Sequence, residues 1–415
     1  MKQFPTGFLW GASTASHQVE GNMHNQWSEW ELKNADRLAK NAPDRLSWLS
    51  TLDRIRAQAT NPENYISGSG IEHYERYRDD FRLLKQLNMN AFRFGIEWSR
   101  IEPREGVWDQ TAIEHYRAYI QELKDQNIEP IVTLWHWTMP VWFAEKGGFE
   151  RHKNIRYFDR FIKKVAEELG NELSYVITLN EPNVYVTFSY VTGEWPPQRK
   201  SKLAAIRTYV HLLQAHHRAY KILKMRNTNL RIGIAQNFSC NLPFNKGKFL
   251  DRTVAAFNNY AWNWWFFNRI KRYQDFVGFN FYHVNYWSSY HLKNPENPKN
   301  DVDWYMEPIR IKELLVWTHR RYQKPILITE NGVADAADIY RQWWIEQTLL
   351  GLESAMDEGV ELTGYLHWSL LDNFEWAYGW WPKFGLISVD RSTMTRHIRP
   401  SASWFAKKIG TYSKK

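Results

Sequence analysis

Two glutamates carry the strongest chemical signal in the chain. Glu181 sits in Thr178-Leu-Asn-Glu-Pro182 and Glu330 in Ile328-Thr-Glu-Asn-Gly332. Each follows an apolar, β-branched run, residues 175–179 or 325–329, of the kind that forms a buried strand. A carboxylate just past the end of such a strand leaves the core and reaches the rim of a β/α barrel, where side chains from several strands meet. One glutamate there could equally cap a helix or pair with a surface cation. Two, each beside an asparagine and half a barrel apart, suit a retaining glycosidase, which needs an acid/base and a nucleophile.

Short apolar runs recur at 8–13, 91–96, 130–134, 175–179, 231–236, 276–281, 325–329 and 364–368. Helical spacing fills the intervals at 72–87, 111–126, 155–169, 203–226, 252–272, 309–322, 340–358 and 400–408. This alternation predicts an α/β fold, and eight repeats with no glycine-rich phosphate loop after the first strand favour a closed barrel over an open doubly wound sheet. The expected form is a single-domain (β/α)8 TIM barrel with elaborated βα loops over residues 1–415. The longest connection, 22–70, is expected to hold a helical piece around 46–59 and to wall the cleft.

The ends of these strands collect polar and aromatic groups. Gln18, Arg93, His136, Asn180, Asn280, Tyr282 and Trp368 fall there, with Glu375 and Trp376 just beyond the last strand. Taken singly, Arg93 neutralises a buried acid, His136 is a core histidine and Trp368 is packing. Falling together at one end, they form a hydrogen-bonding pocket with a stacking floor. The 23 Trp and 22 Tyr point the same way, because their flat faces with one polar handle match a sugar ring.

The net charge of +9, from 54 basic and 45 acidic residues, reads as spread along the chain, and the Gln198-Arg-Lys-Ser-Lys202 cluster as a solvated turn. No nucleic-acid or membrane partner is therefore expected. The lone Cys240 leaves no intramolecular disulfide and fits a reducing compartment. The first residues make no apolar leader, and no run approaches the roughly 18 residues of a membrane span. A soluble, cytoplasmic protein is the expectation. His216-His217 lacks a carboxylate at ligand spacing, so no metal is expected, and no cofactor.

The chain resembles the family-one glycoside hydrolases, the β-glucosidase and β-galactosidase group, from Phe4 to about Phe405. The motifs that carry the resemblance are Phe8-Leu-Trp-Gly-Ala-Ser-Thr-Ala-Ser-His-Gln-Val-Glu-Gly21, Phe92-Arg-Phe-Gly-Ile-Glu-Trp-Ser-Arg100 and His136-Trp-Thr-Met-Pro140. To these are added the two glutamate motifs, Gly278-Phe-Asn-Phe-Tyr282 and His367-Trp-Ser-Leu-Leu-Asp-Asn-Phe-Glu-Trp376. The resemblance implies that Glu181 is the acid/base and Glu330 the nucleophile. It implies that Gln18, His136, Asn180 and Glu375 hold the hydroxyls of the terminal sugar, with Trp368 beneath the ring and Trp376 at its edge. Arg93, Asn280 and Tyr282 would sit beside Glu330, and Trp304 would form a platform for the leaving group. A guanidinium and a phenol would lower the pKa of Glu330, while burial and the neighbouring charge would raise that of Glu181. The implied activity is that of a retaining exo-β-glycosidase: a β-glucosidase, with β-galactosidase or β-fucosidase activity as a variant. Its substrates would be small oligosaccharides or aryl and alkyl β-glycosides.

The chain also departs from the family pattern. The usual His-Trp-Asp-Leu-Pro becomes His136-Trp-Thr-Met-Pro140, which puts Thr138 and Met139 at the expected cleft mouth. The connection between the fifth and sixth strands is short, and residues 22–69 match poorly, which bears on the outer cleft rather than on the chemistry. Relatives acting on 6-phosphosugars have serine in place of Glu375, then lysine and tyrosine where this chain has Pro382 and Phe384. Two other readings are an endo-acting barrel glycosidase and a sugar-binding protein without catalysis. Gln18 and Glu375, which block one end of the pocket, disfavour the first; the intact glutamate pair disfavours the second.

Overall fold

The computed structural model describes residues 4–413. Eight parallel strands pair in sequence order around a ring: β1 (Leu9–Ser13), β2 (Ala91–Gly95), β3 (Glu129–Thr133), β4 (Tyr175–Asn180), β5 (Arg231–Pro243), β6 (Val277–Ser288), β7 (Ile326–Asn331) and β8 (Leu362–Trp368). The ring closes where β8 returns to β1, with Leu9 opposite Gly364 and Ser13 opposite Trp368. This is a (β/α)8 barrel, as the alternating apolar runs predict. The eight runs are legible because a strand covered on both faces is apolar throughout rather than alternating.

Inside the ring, alternation still decides which side chains point inward. Ala91, Ile131, Ile177, Ala235, Leu327 and Leu366 form an apolar layer with Tyr175 and Phe276. Two residues further along their strands stand Arg93, Thr133, Thr329 and Trp368, the start of the polar layer. On β4 the same step would give Leu179. The register of β4 against β5 shifts between Ile177 and Asn180, however, and Asn180 takes the inward position. Similar shifts lie between Phe279 and Asn280 and between Ile328 and Asn331. Each irregularity falls beside a polar side chain of the barrel mouth, where a bulge re-aims a residue that strict alternation would misplace.

The outer helices follow the expected spacing, among them His73–Gln86, Gln110–Asp125, Ile155–Glu168, Lys202–Arg226, Ile311–Tyr322, Arg341–Asp357 and Pro400–Ser413. The helix expected over 252–272 is present but broken: the chain forms Phe249–Asn258, a π-helical turn at Asn259–Trp264 and a short helix Phe267–Ile270. β5 and β6 also run well past their expected ends and pair with each other as far as Pro243 and Trp287. The long connection after β1 also differs from expectation: its main element is Gln26–Lys40, ahead of the shorter Leu52–Ala59. Asn25 caps the longer helix, accepting from the N–H groups of Trp27 and Ser28, while Ser28 accepts from Asn25.

Gly11 lies where β1 crosses closest to β2. A Cβ there would fall 2.1 Å from the Ala91 carbonyl oxygen, a backbone atom that cannot rotate away. At Gly170, by contrast, the nearest atom would be 3.6 Å away. Gly11→Ala is expected to cost about 2–3 kcal/mol, read as a lower melting temperature, whereas Gly170→Ala should leave it nearly unchanged. Equal melting temperatures for both variants would contradict this account of the β1–β2 contact.

Candidate active site

The polar layer is organised around Arg93, whose side chain is completely buried at the centre of β2. Its Nε donates to Thr133 Oγ1 (2.9 Å), Nη2 to Asn180 Oδ1 (2.6 Å), and Nη1 to Glu330 Oε1 (2.5 Å) and the Thr329 carbonyl (3.3 Å). The other oxygen of Glu330 accepts from the Tyr282 hydroxyl at 2.5 Å. Burial, followed by the Glu330 charge, pushes the Tyr282 phenol far up, so it stays protonated and donates.

Glu181 is held differently. The residue adopts a left-handed backbone, φ 40, between the end of β4 and the helical turn Pro182–Val186. A non-glycine residue there is strained and must be held by its surroundings. Its Oε1 accepts from Asn280 Nδ2 (2.8 Å) and Asn237 Nδ2 (3.1 Å), and among the described residues no cation pairs with it. Burial and then the Glu330 charge raise its pKa to about 8. Glu330 is also raised, because burial outweighs the opposing pull of Arg93 and Tyr282. The expected lowering of Glu330 is therefore corrected. What separates the two carboxyls is their partners: a guanidinium and a phenol for Glu330, two neutral amides for Glu181. Of the pair, Glu330 is the one whose anion is stabilised.

The remaining expected residues come together, with differences of detail. His136, Glu181, Tyr282, Trp304, Glu330, Trp368, Glu375 and Trp376 all line one cavity of about 310 Å³. Gln18 and Asn180 stand behind this surface. Gln18 Nε2 donates to the Phe374 carbonyl (2.7 Å) and Asn373 Oδ1 (3.0 Å), and more weakly to Glu375 Oε2 (3.4 Å). Asn180 Nδ2 donates to His136 Nε2 at 2.9 Å, which makes Nδ1 the protonated nitrogen of that ring. Burial and the Arg93 charge keep His136 neutral by driving its pKa far down. Asn280, expected beside Glu330, gives its short bond to Glu181 and is itself fixed by Thr329 Oγ1 at 2.6 Å. Glu375 is raised to about 8 by burial and by Glu330, so it can donate a proton in a hydrogen bond at neutral pH.

Thr138 and Met139 do not line the mouth. Both are buried; Thr138 bonds Glu97 Oε2 at 2.8 Å, and Met139 Sδ packs on Gly148. Trp137 turns through φ 72 just before them and swings the pair away from the cavity. His216 hydrogen-bonds Thr178 Oγ1 and His217 the Arg269 carbonyl, both as packing histidines.

Several contributors escaped sequence reading. Asn237 reaches Glu181 only because β5 continues beyond its apolar run, and the Trp262 indole fixes its orientation at 3.1 Å. The poorly matching 22–69 segment also supports the wall of the cavity itself. Trp27 packs on Trp376 at 4.7 Å, and Glu31 binds the His17 ring (2.6 Å), which stacks on Trp376 at 5.6 Å. The signal was present as the buried stripe Trp27, Trp30, Glu31, Ala35 and Leu38 on one helix face.

Comparison with known proteins agrees with this geometry. The chain is 34% identical to the β-glycosidase from Pyrococcus horikoshii, covering 99% of this chain and 95% of that one with a TM-score of 0.85. The family 1 β-glucosidase from Thermotoga maritima superposes with a TM-score of 0.86 at 27% identity, over 99% of this chain and 98% of that chain. β-Glucosidase A from Acetivibrio thermocellus is 28% identical over 461 residues, 98% of each chain. The glycosyl hydrolase family 1 model matches residues 1–276 and 267–413, so this O-glycosyl hydrolase belongs to glycosyl hydrolase family 1.

Proposed function

We propose that the protein is a retaining exo-β-glycosidase, most simply a β-glucosidase, working by double displacement through a covalent glycosyl-enzyme at Glu330. The observation that carries this reading is the pair of buried carboxyls with opposite partners, Arg93 and Tyr282 on Glu330 and neutral amides on Glu181. Glu330, as the anion, attacks the anomeric carbon while Glu181, protonated because its pKa is about 8, gives its proton to the leaving oxygen. Esterification of Glu330 removes the negative charge that helps to hold that proton. Glu181 then ionises more readily and accepts a proton from the attacking water.

The terminal sugar would rest on Trp368, with His136, Glu375 and Trp376 around its hydroxyls and Gln18 and Asn180 holding those groups from behind. The rim residue Trp304 supports an aromatic or sugar leaving group. It is half-buried and lies 6.0 Å from the Tyr282 ring and 5.5 Å from His283. A free 6-hydroxyl fits better than a phosphate, since Pro382 and Phe384 stand where phosphosugar enzymes carry lysine and tyrosine. The closed end made by Gln18 and Glu375 supports exo rather than endo action. The whole reaction would use one barrel domain and no cofactor.

Glu330→Ala should lower kcat on nitrophenyl β-glucoside by about 10³-fold or more, with partial recovery in azide and formation of the α-glucosyl azide. Activity within about tenfold of the parent, or a β-azide product, would contradict Glu330 as nucleophile. Trp304→Ala should lower kcat/KM for aryl glucosides and disaccharides by roughly fivefold, the size of one aromatic stacking contact of about 1 kcal/mol, while glucose inhibition stays constant. An equal loss for every substrate, together with a lower melting temperature, would make Trp304 a packing residue only.

A further inference from the structure

The positive charge is not spread along the chain, as a first reading of the sequence suggests. Between Trp195 and Gln274 there are fifteen lysines and arginines and one acidic residue, Asp251. The rest of the chain carries more acids than bases. Asp251 is itself buried, accepting from the N–H groups of Asn245 (3.0 Å) and Ser289 (2.8 Å). Arg199, Arg207, Arg218 and Lys224 are paired with carboxylates. The other cations of the segment have no ion-pair partner among the described residues.

The apolar pattern on this face is inverted. Helix Phe249–Asn258 buries Asp251 and exposes Phe249 (74%) and Phe257 (66%). In the same basic segment, the first turns of helix Lys202–Arg226 expose Leu203 (67%) and Ile206 (62%). Tyr209 of that helix stacks at 5.0 Å on Trp265, just past the π-helical turn that follows Phe249–Asn258. Exposed Lys202 precedes Leu203 in the chain, and exposed Lys246, Lys248 and Arg252 flank Phe249. Large apolar groups left in water beside unpaired cations mark a surface that meets something.

Charge decides what that is. A two-fold contact with a second copy would set this cationic face against itself. A phosphate backbone would satisfy the cations but offers nothing to Leu203 or Ile206. An anionic lipid surface satisfies both, headgroups meeting the lysines while the apolar side chains enter the acyl boundary. We propose that this face docks the protein peripherally on an anionic lipid surface. Among the described residues no helix is long and apolar enough to cross a membrane, so the contact lies in the interface plane. The proposal is independent of the catalytic assignments.

The test is co-sedimentation of the full chain with phosphatidylcholine vesicles, with and without phosphatidylglycerol, across a salt series. The parent should bind only the anionic vesicles and be released by salt. Lys246→Glu with Lys248→Glu should weaken binding about tenfold or more and flatten the salt dependence, since each cation near a charged leaflet contributes separately. Phe249→Ser with Phe257→Ser should weaken binding similarly while the salt dependence persists. Both pairs lie on the surface, and melting curves would verify their folding; were the phenylalanine pair to misfold, the lysine pair would still decide. Equal binding to neutral vesicles, no binding at all, or undiminished binding by both variants would overturn the proposal. So would tighter binding to duplex DNA or RNA than to vesicles, or a dimer in light scattering that the phenylalanine pair abolishes.

Discussion

A guanidinium with no exposed surface, held inside the barrel, is the constraint on which the site depends. Left unpaired, a cation in that position would cost far more than the fold can offset. Arg93 therefore needs an acceptor on nearly every donor, and β3, β4 and β7 supply them through Thr133, Asn180, Thr329 and Glu330. Those acceptors line up only if the neighbouring strands keep their register, with the shifts beside Asn180 and Glu330 in place. The ion pair thus ties the geometry of the barrel to the orientation of Glu330. Removing either partner leaves a buried charge and costs about 3–5 kcal/mol, much more than an exposed pair would.

Around this polar centre stands an aromatic wall. Trp376 meets Trp27 at 4.7 Å, Trp137 at 4.8 Å and Trp195 at 6.1 Å, and the His17 ring stacks on it at 5.6 Å. Rings packed in this way are rigid and exclude water, which strengthens every charge interaction within the cavity. Burial then becomes the largest influence on all three site carboxyls, Glu181, Glu330 and Glu375. Similar burial leaves the hydrogen-bond partners to assign the roles.

Much of this was legible in the sequence, and for physical reasons. Buried parallel strands give themselves away as apolar runs, and groups at their C-terminal ends converge because parallel strands bring all those ends to one rim of the barrel. Asn280 and Tyr282 could be placed from a single strand because alternation puts both on the same face. The details that escaped depend on distances no local pattern encodes. Asn237 became a partner of Glu181 through an extension of β5 beyond its apolar stretch. Thr138 and Met139 were expected at the mouth, but the turn at Trp137 carries them into the core. The balance at Glu330 was misjudged because the sequence names its cationic partner without showing how completely the carboxyl is enclosed.

The central claim is that Glu181 holds its proton through burial and the nearby Glu330 charge, and releases it once that charge is gone. The direct measurement is a carbon NMR titration of the Glu181 carboxyl, before and after Glu330 is esterified with a 2-deoxy-2-fluoroglucosyl group. The account predicts a pKa of about 8 in the free protein and a clear fall in the esterified form, since a neutral ester no longer opposes ionisation of its neighbour. A Glu181 carboxyl that titrates at the ordinary glutamate value in the free protein, or whose pKa is unmoved by esterification of Glu330, would contradict it.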